Sequence, residues 1–302
     1  MPELPEVERV RLTLERSLVG ARIARAELRR ADVCTPVPGR AGPVRPRDLL
    51  AGATVGELVR HGKQLAIVAR DGRAVCVHLG MTGSLLALRA RPEVDALDHV
   101  HGVWTIGGAG WMVFRDPRRF GGLWCFESLA QLRAHRWDAL GPDALLAGAG
   151  PLREAVHGSA RPIKSALLDQ GVLAGVGNIY ADEALFRARV SPRRAAGSLS
   201  SDELQALAGA IRSVLREAID AGGSSIRDYR DGEGKAGSFQ SRHRVYGRAG
   251  LACVSCGSTL KSLTIAQRTT VMCPVCQGKN REKTLKRGNP RCLSTRLCTT
   301  PA

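Results

Sequence analysis

Apolar residues recur at helical spacing at the start of the 302-residue chain. Val7, Val10, Leu14 and Leu18 share one face of a predicted helix over 5–18, with Pro5 in its first turn and Gly20 just past its end. From about 22 to 127 the pattern changes to short runs of strand character: 23–28, 65–69, 74–79, 103–106, 111–114 and 123–126. Turns with Gly and Pro separate them, which predicts an antiparallel sandwich. Residues 34–48, rich in Pro, Gly and Arg, read as a loop. Beyond about 135 helices take over. The run 163–170 is helical, breaks at Gly171 and at Gly175-Val176-Gly177, and Asn178 opens a second helix. Ser200-Ser201-Asp202-Glu203 is a capping box before a face of Leu204, Leu207, Ile211, Val214, Leu215 and Ile219, and Gly222-Gly223 end that helix. The expected fold is α+β. Residues 1–134 form a helix and sandwich, 135–152 a linker, 153–243 a helical domain and 244–278 a cysteine-bearing unit. Residues 279–302 form a basic tail with too few large apolar residues to fold.

Charge narrows the partners. Lys and Arg number 45 against 28 Asp and Glu, a net charge of +17. A surplus of that size favours a polyanion, with nucleic acid ahead of an anionic membrane. Arg dominates and suits phosphate contacts, although Ala- and Arg-rich usage also follows from genome composition. No apolar run approaches the ~20 residues that span a bilayer, and no signal pattern opens the chain. The expectation is a cytoplasmic monomer. Of nine cysteines, Cys34, Cys76 and Cys125 sit in apolar or mixed contexts and read as ordinary reduced residues.

Four others have metal spacing. Cys253-Val-Ser-Cys256 is followed after 16 residues by Cys273-Pro-Val-Cys276. Two such knuckles close a tetrahedral thiolate site around one Zn²⁺, and four thiolates leave no open position, so the metal is structural. Arg268 lies between the knuckles, where a hairpin tip would offer it to a phosphate, or simply to solvent. Cys292 and Cys298 lie too far apart to form a knuckle.

Two further segments have candidate chemistry. With Met1 removed, Pro2 presents a secondary amine, a nucleophile able to condense with an aldehyde-like carbon. Glu3 and Glu6 lie near enough to move protons around it. A frayed end leading into the helix has the same sequence. The glycine turn before Asn178 would expose backbone N–H groups at a helix N-terminus, a ready phosphate site, with Asn178 as cap or phosphate donor. Helical hairpins with no such role are common.

Taken together, six separated motifs resemble the bacterial formamidopyrimidine-DNA glycosylase family along about residues 1–278. They are Pro2-Glu3-Leu4-Pro5-Glu6-Val7-Glu8, His61-Gly62-Lys63, His78-Leu79-Gly80-Met81-Thr82-Gly83, Asp116-Pro117-Arg118-Arg119-Phe120-Gly121, the run from Ile163 to Phe186, and Val245-Tyr246-Gly247-Arg248 with the cysteine knuckles. The resemblance implies a helix on a β-sandwich, a helix–two-turns–helix domain and a zinc ribbon, with damaged duplex DNA in the cleft and the lesion turned out of the stack. It implies a glycosylase and AP lyase acting on 8-oxoguanine and formamidopyrimidines. Pro2 would attack C1′, Glu3 would act as acid/base on the opened sugar, and Glu6 would position the sugar and Pro2. Lys63 and Arg268 would hold phosphate and assist β- and δ-elimination. Met81, Arg118 and Phe120 would fill the void left by the extruded base, where plain core packing is the alternative for Met81 and Phe120. Lys164 and Asn178 match further DNA-contacting positions. Leu97 stands where some relatives have a DNA-contacting His, with His99 nearby, and a Lys-rich stretch of relatives is reduced to Arg161. Lys279, Arg281, Lys283, Lys286, Arg287 and Arg291 would add non-specific DNA affinity, or form a solvated extension. A sister branch acting on oxidised pyrimidines shares Pro2, Glu3 and the zinc unit. Leu4 and the segment Gly222–Phe239 favour purines. A non-catalytic DNA-binding scaffold is the remaining alternative, disfavoured by the intact Pro2, Glu3, Lys63 and Arg268.

Overall fold

The computed structural model describes residues 2–278 except Ala109 and Arg227, so the tail basic residues, Cys292 and Cys298 lie outside the described residues. Helix α1 (Leu4–Leu18) leads into nine strands, β1 (Ile23–Leu28), β2 (Cys34–Thr35), β3 (Val55–His61), β4 (Gln64–Ala69), β5 (Ala74–His78), β6 (Ser84–Leu88), β7 (Val100–Ile106), β8 (Gly110–Arg115) and β9 (Gly122–Phe126), with the short helix α2 (Arg91–Asp95) between β6 and β7. They form two sheets, ordered β1-β7-β8-β6 and β2-β9-β5-β4-β3. All pairings are antiparallel except β2 with β9, which is parallel and joins Cys34 to Leu123 and Thr35 to Trp124. That pairing falls at the start of the segment read from sequence as loop.

The run-like strands 64–69 and 74–78 are buried on both faces for a visible reason. Leu65, Ile67, Val75 and Val77 face the core between the sheets. Ala66, Val68, Ala74 and Cys76 face a second cluster closed by Leu132 and Trp137. Those two residues come from α3 (Leu129–Leu132), capped at its start by Ser128, whose hydroxyl accepts from Gln131 N–H, and from the π-turn Arg133–Trp137 that follows it. Helical structure therefore begins at 129 rather than 135.

Helices α4 (Ala149–Val156), α5 (Ile163–Leu168), α6 (Asn178–Arg187) and α7 (Ser201–Asp220) build the second half. The capping box of α7 is present in both directions, Ser200 Oγ with Glu203 N–H and Glu203 with Ser200 N–H. One further residue belongs to this core and comes from far away: Leu4 of α1. Val7, Val10, Leu14 and Leu18 of the same helix belong to the sandwich core. Helix α1 thus bridges both halves, and its first turn is held at their junction. The hairpin β10 (Lys261–Ile265) and β11 (Arg268–Met272) packs against α6 through Val271 and Phe186. Among the described residues, no helix is long and apolar enough to cross a membrane.

Candidate active site

The junction opens into a cleft of about 560 Å³ whose walls include Pro2, Glu3, Lys63, Met81, Arg118, Asn178 and Arg268. These residues come from the two positions just before α1, the β3–β4 turn, the β5–β6 turn, the β8–β9 loop, α6 and the β10–β11 hairpin.

The N-terminal turn is placed by steric fit and by two carboxylates. Leu4 N–H donates to the Gly175 carbonyl (3.1 Å). Gly175 has φ +113°, and a Cβ there would lie 2.4 Å from Leu4 Cδ1. A Cβ at Gly177 would lie 2.3 Å from Glu3 Cδ. The glycines of this turn therefore admit the N-terminus of the chain. Glu3 accepts from the N–H groups of Ile179 (3.0 Å) and Tyr180 (3.4 Å) at the start of α6, where the helix dipole favours an anion. This corrects the phosphate-site expectation: the α6 N-terminus is filled by the protein's own carboxylate. Asn178 is the first residue of α6 rather than its cap, which is Gly177, and its Nδ2 donates to the Thr269 carbonyl (3.0 Å).

Glu6 is equally buried and accepts from Glu3 N–H (2.8 Å), Tyr180 OH (2.5 Å) and Ser224 N–H (2.7 Å). Burial raises the pKa of Glu3 against the charge of Lys63 and the two helix N–H groups. Burial, and then the neighbouring Glu3 charge, push Glu6 up to about 6. Desolvation lowers the pKa of Lys63 against the attraction of Glu3 and Glu6, and Arg268 lowers it further. Perturbed titratable groups converging in a cleft are a sign of catalytic use.

Lys63 depends on a joint that sequence reading did not expose. Asp143, in the segment read as linker, accepts from Gly62 N–H (2.8 Å) and from both Arg60 Nη atoms (2.5 and 3.2 Å). Arg60 Nη1 also donates to the Gly62 carbonyl (2.9 Å), and His61 Nε2 lies 3.0 Å from the Gly141 carbonyl. This clamp fixes the turn that presents Lys63. A lone Asp after Gly-Pro gives no local sign of it.

Met81 and Arg118 line the cleft, and Phe120 packs against Arg118 beside them. The Arg118 guanidinium lies 4.5 Å from the Phe120 ring centroid and its Nη1 is 3.9 Å from Met81 Sδ. Phe120 is 55 % exposed, so plain core packing does not describe it. Fully buried Asp116 shapes this loop by accepting from Gly121 N–H (2.7 Å), Arg118 N–H (3.2 Å) and the Thr82 hydroxyl. The two loops touch so closely that a Cβ at Gly80 would lie 2.3 Å from Gly121 N.

Other expected contacts fall differently. Lys164 is 0 % exposed, with Nζ 2.6 Å from Asp182 Oδ1 and 2.8 Å from Thr270 Oγ1. It does not reach a surface in this structure, because α5 and β11 close over it. Asp182 also accepts from Val271 N–H (3.0 Å). Lys164 therefore ties the hairpin that holds Arg268 to α5 and α6. Replacing it with Met leaves Asp182 buried without its cation and is expected to cost about 3–5 kcal/mol. Thermal unfolding reads the loss, and K164M/D182N should recover part of it, whereas an unshifted transition in K164M would remove the structural role. Arg161 is paired with Asp169 (2.9 Å). His99 is exposed at a positive φ of 59°, whereas Leu97 packs on the cluster of Val94 and Val100.

Arg268 follows the turn at Ala266-Gln267, exposed at the hairpin tip. Beneath it, the four sulfurs of Cys253, Cys256, Cys273 and Cys276 lie within 4.8 Å of one another. The Cys253–Cys276 and Cys256–Cys273 separations are 3.9 and 3.4 Å. A zinc tetrathiolate with ~2.3 Å bonds has edges of about 3.8 Å, so the donor set fits one Zn²⁺. The N–H groups of Ser255 and Cys276 point at Cys253 Sγ (3.4 Å) and Cys273 Sγ (3.3 Å), which stabilises thiolates.

Comparison with known proteins agrees with this geometry. Residues 1–123 match the formamidopyrimidine-DNA glycosylase N-terminal domain and residues 140–230 its H2TH domain. A formamidopyrimidine-DNA glycosylase of Cereibacter sphaeroides is 41% identical over 289 residues, covering 92% of this chain and 100% of that protein. One from Heliobacterium modesticaldum is 42% identical over 281 residues, with the same coverage. The crystal structure of the MutM (Fpg) protein of Thermus thermophilus superposes with a TM-score of 0.79 at 38% identity, covering 92% of this chain and 99% of that one. The Lactococcus lactis Fpg in complex with DNA containing an abasic site gives 0.79 at 33% identity, covering 92% and 100%. With both halves, the bridging first helix and the four-cysteine hairpin matched across nearly the full length of these relatives, the chain belongs to the formamidopyrimidine-DNA glycosylase family.

Proposed function

We propose that this protein is a bifunctional DNA glycosylase and AP lyase of base excision repair, acting on oxidised purines in duplex DNA. The observation that carries this reading is the meeting of Pro2, Glu3, Lys63 and Arg268 in one cleft, with Met81 and Arg118 in its wall. Relatives solved with DNA containing an abasic site, Fapy-dG or carbocyclic 8-oxo-G support the substrate class.

Chemistry and geometry then connect. Once Met1 is removed, the Pro2 amine attacks C1′ of the extruded nucleotide, the C1′–N bond breaks, and the base leaves with a proton. Glu3, with its raised pKa, supplies and recovers protons at the sugar oxygen as the ring opens to the iminium. The iminium acidifies C2′–H. Loss of that proton expels the 3′ phosphate, and a second elimination expels the 5′ phosphate. Lys63 and Arg268 bind those phosphates, and Glu6 holds the first turn of α1 in place. Phe120 wedges the stack, while Met81 and Arg118 occupy the void, Arg118 facing the orphaned base. Asn178, His99 and Arg161 serve as peripheral DNA contacts. In this reading residues 1–134 supply nucleophile and wedge, 135–152 join the halves, 153–243 grip DNA, and 244–278 position Arg268. The site of action is the cytoplasm, at the nucleoid.

Purine preference rests on the segment after α7, where Ser224, Ile226, Asp228 and Tyr229 line the cleft and can cap a base. Borohydride trapping on duplexes with 8-oxoguanine, formamidopyrimidine, thymine glycol or dihydrouracil tests it. The first two are expected to give the higher covalent yields. A higher yield on the pyrimidine lesions would move the protein to the sister branch.

A further inference from the structure

Helix α1 holds more than the catalytic turn. The chain after α7, whose Ser224, Ile226, Asp228 and Tyr229 line the cleft, is fastened to it at two places. At the near one, Ser224 N–H donates to Glu6 (2.7 Å), Tyr229 OH donates to the Glu6 carbonyl (3.1 Å), and a Cβ at Gly223 would lie 2.9 Å from Glu6 Oε1. At the far one, Gly232 N–H donates to Thr13 Oγ1 (3.0 Å). A Cβ at Gly232 would lie 2.6 Å from that oxygen and 2.7 Å from Leu14 Cγ, so the backbone is seated directly on the helix. The Gly232 carbonyl accepts from Ala87 N–H (2.7 Å) of β6. Buried Asp231 closes the turn that follows by accepting from Glu233 N–H (3.0 Å) and Lys235 N–H (2.9 Å), with Arg9 Nε 3.5 Å away.

Thr13 is buried, and its hydroxyl is fully used. The single proton points back to the Arg9 and Val10 carbonyls (2.9 and 3.0 Å), which leaves a lone pair for Gly232 N–H. Without that oxygen the N–H, buried between α1 and β6, loses its partner. Helix geometry sets the spacing. Glu6 and Thr13 are seven residues apart, two turns less about 20°, so they share a face about 10 Å from each other. The nine positions from Gly223 to Gly232 could extend to about 30 Å. The segment therefore rises from the helix between its two fastenings and returns to it, and its shape depends on where each end is held.

Building on the function proposed above, we propose that Thr13 is a positioning residue for lesion selectivity: through Gly232 it holds the far end of the base-facing segment in register with Pro2. Both belong to one rigid helix, Pro2 just before its first turn and Thr13 about three turns on. A purine leaving C1′ must fit between the nucleophile and this segment, so a shift of the far end misplaces the base and with it C1′. An abasic nucleotide has no base to place. Scission there draws on Pro2, Glu3, Lys63 and Arg268, which meet at the other end of α1. Thr13 thus separates recognition of the base from chemistry at the sugar, whereas Glu6, which fastens the near end, serves both.

The test compares single-turnover excision of 8-oxoguanine opposite cytosine with strand scission at a preformed abasic site. Thr13→Val keeps the shape of the side chain and removes the acceptor. Excision is expected to fall roughly five- to tenfold, the worth of one buried hydrogen bond expressed as a rate, while abasic-site scission stays within about twofold. Thr13→Ser, which keeps the oxygen, should restore excision. Thr13→Ala repeats the test with the strongest helix former, and full abasic-site scission shows that each variant is folded. An equal fall on both substrates would make Thr13 a general stabiliser and overturn the inference. So would undiminished excision of 8-oxoguanine in Thr13→Val and Thr13→Ala, or a Thr13→Ser variant no better than Thr13→Val. Wild-type protein that excises no 8-oxoguanine would instead overturn the function proposed above.

Discussion

Replacement of Pro2 by Gly is expected to lower the borohydride-trapped enzyme–DNA yield by ~10²-fold or more, a modest figure for removal of a positioned nucleophile. Glycine keeps an amine, so the argument rests on its kind. A secondary amine gives an iminium with no N–H to lose, which stays cationic and withdraws electrons until C2′–H departs. A primary amine gives an imine that must be protonated again at each step. Glycine also loosens the backbone at the one residue that must aim into the cleft. Protein retaining Met1 is a second control, because an acylated nitrogen has no lone pair for attack, and it is expected to trap no DNA. Trapping of Pro2→Gly at the wild-type yield would place the nucleophile elsewhere, with Lys63 the first candidate by position.

Removal of zinc is expected to have an effect of similar size for a different reason. The hairpin β10–β11 has two strands and a small cluster of Val245, Leu260 and Val271 around the cysteines. A two-stranded hairpin is marginal alone, whereas a structural zinc contributes apparent binding energy of about 10–16 kcal/mol. Without metal the hairpin should unravel, and Arg268 would leave the cleft. Its loss would also uncover Lys164 and Asp182, which the hairpin buries. Chelation or Cys273→Ser should therefore abolish strand scission and lower the unfolding temperature, while the sandwich keeps its strand signal. Metal analysis of the untreated protein should find about one zinc per chain. Metal-free protein with full scission activity would refute the structural assignment.

Where sequence reading succeeded, the signal was local. The spacing of Val7, Val10, Leu14 and Leu18 predicts α1, and the box at Ser200–Glu203 predicts the start of α7, because both lie within a few residues. The cysteine knuckles predict their own convergence for the same reason. Strands β3 and β6 escaped it. Val55–His61 has a bulge near Gly56, and Ser84–Leu88 is a short apolar run with no period to mark it.

Sequence alone determined most of the elements and the metal ligands and named candidate reactive groups, since each is written in neighbouring residues. Tertiary structure decided where those groups sit and what they bond. Glu3 lies 176 positions from the helix N-terminus it fills, and Lys164 lies 106 from the hydroxyl that shares its burial. Asp143 lies 81 from the turn it clamps, and Ser224 lies 218 from the carboxylate it binds. Hydrogen bonds act over about 3 Å of space and leave no period in the chain. The glycine turn shows the difference: its composition suits a phosphate or a side chain equally well. Only the fold, by seating Leu4 in the far core, put Glu3 there and left Pro2 facing the cleft.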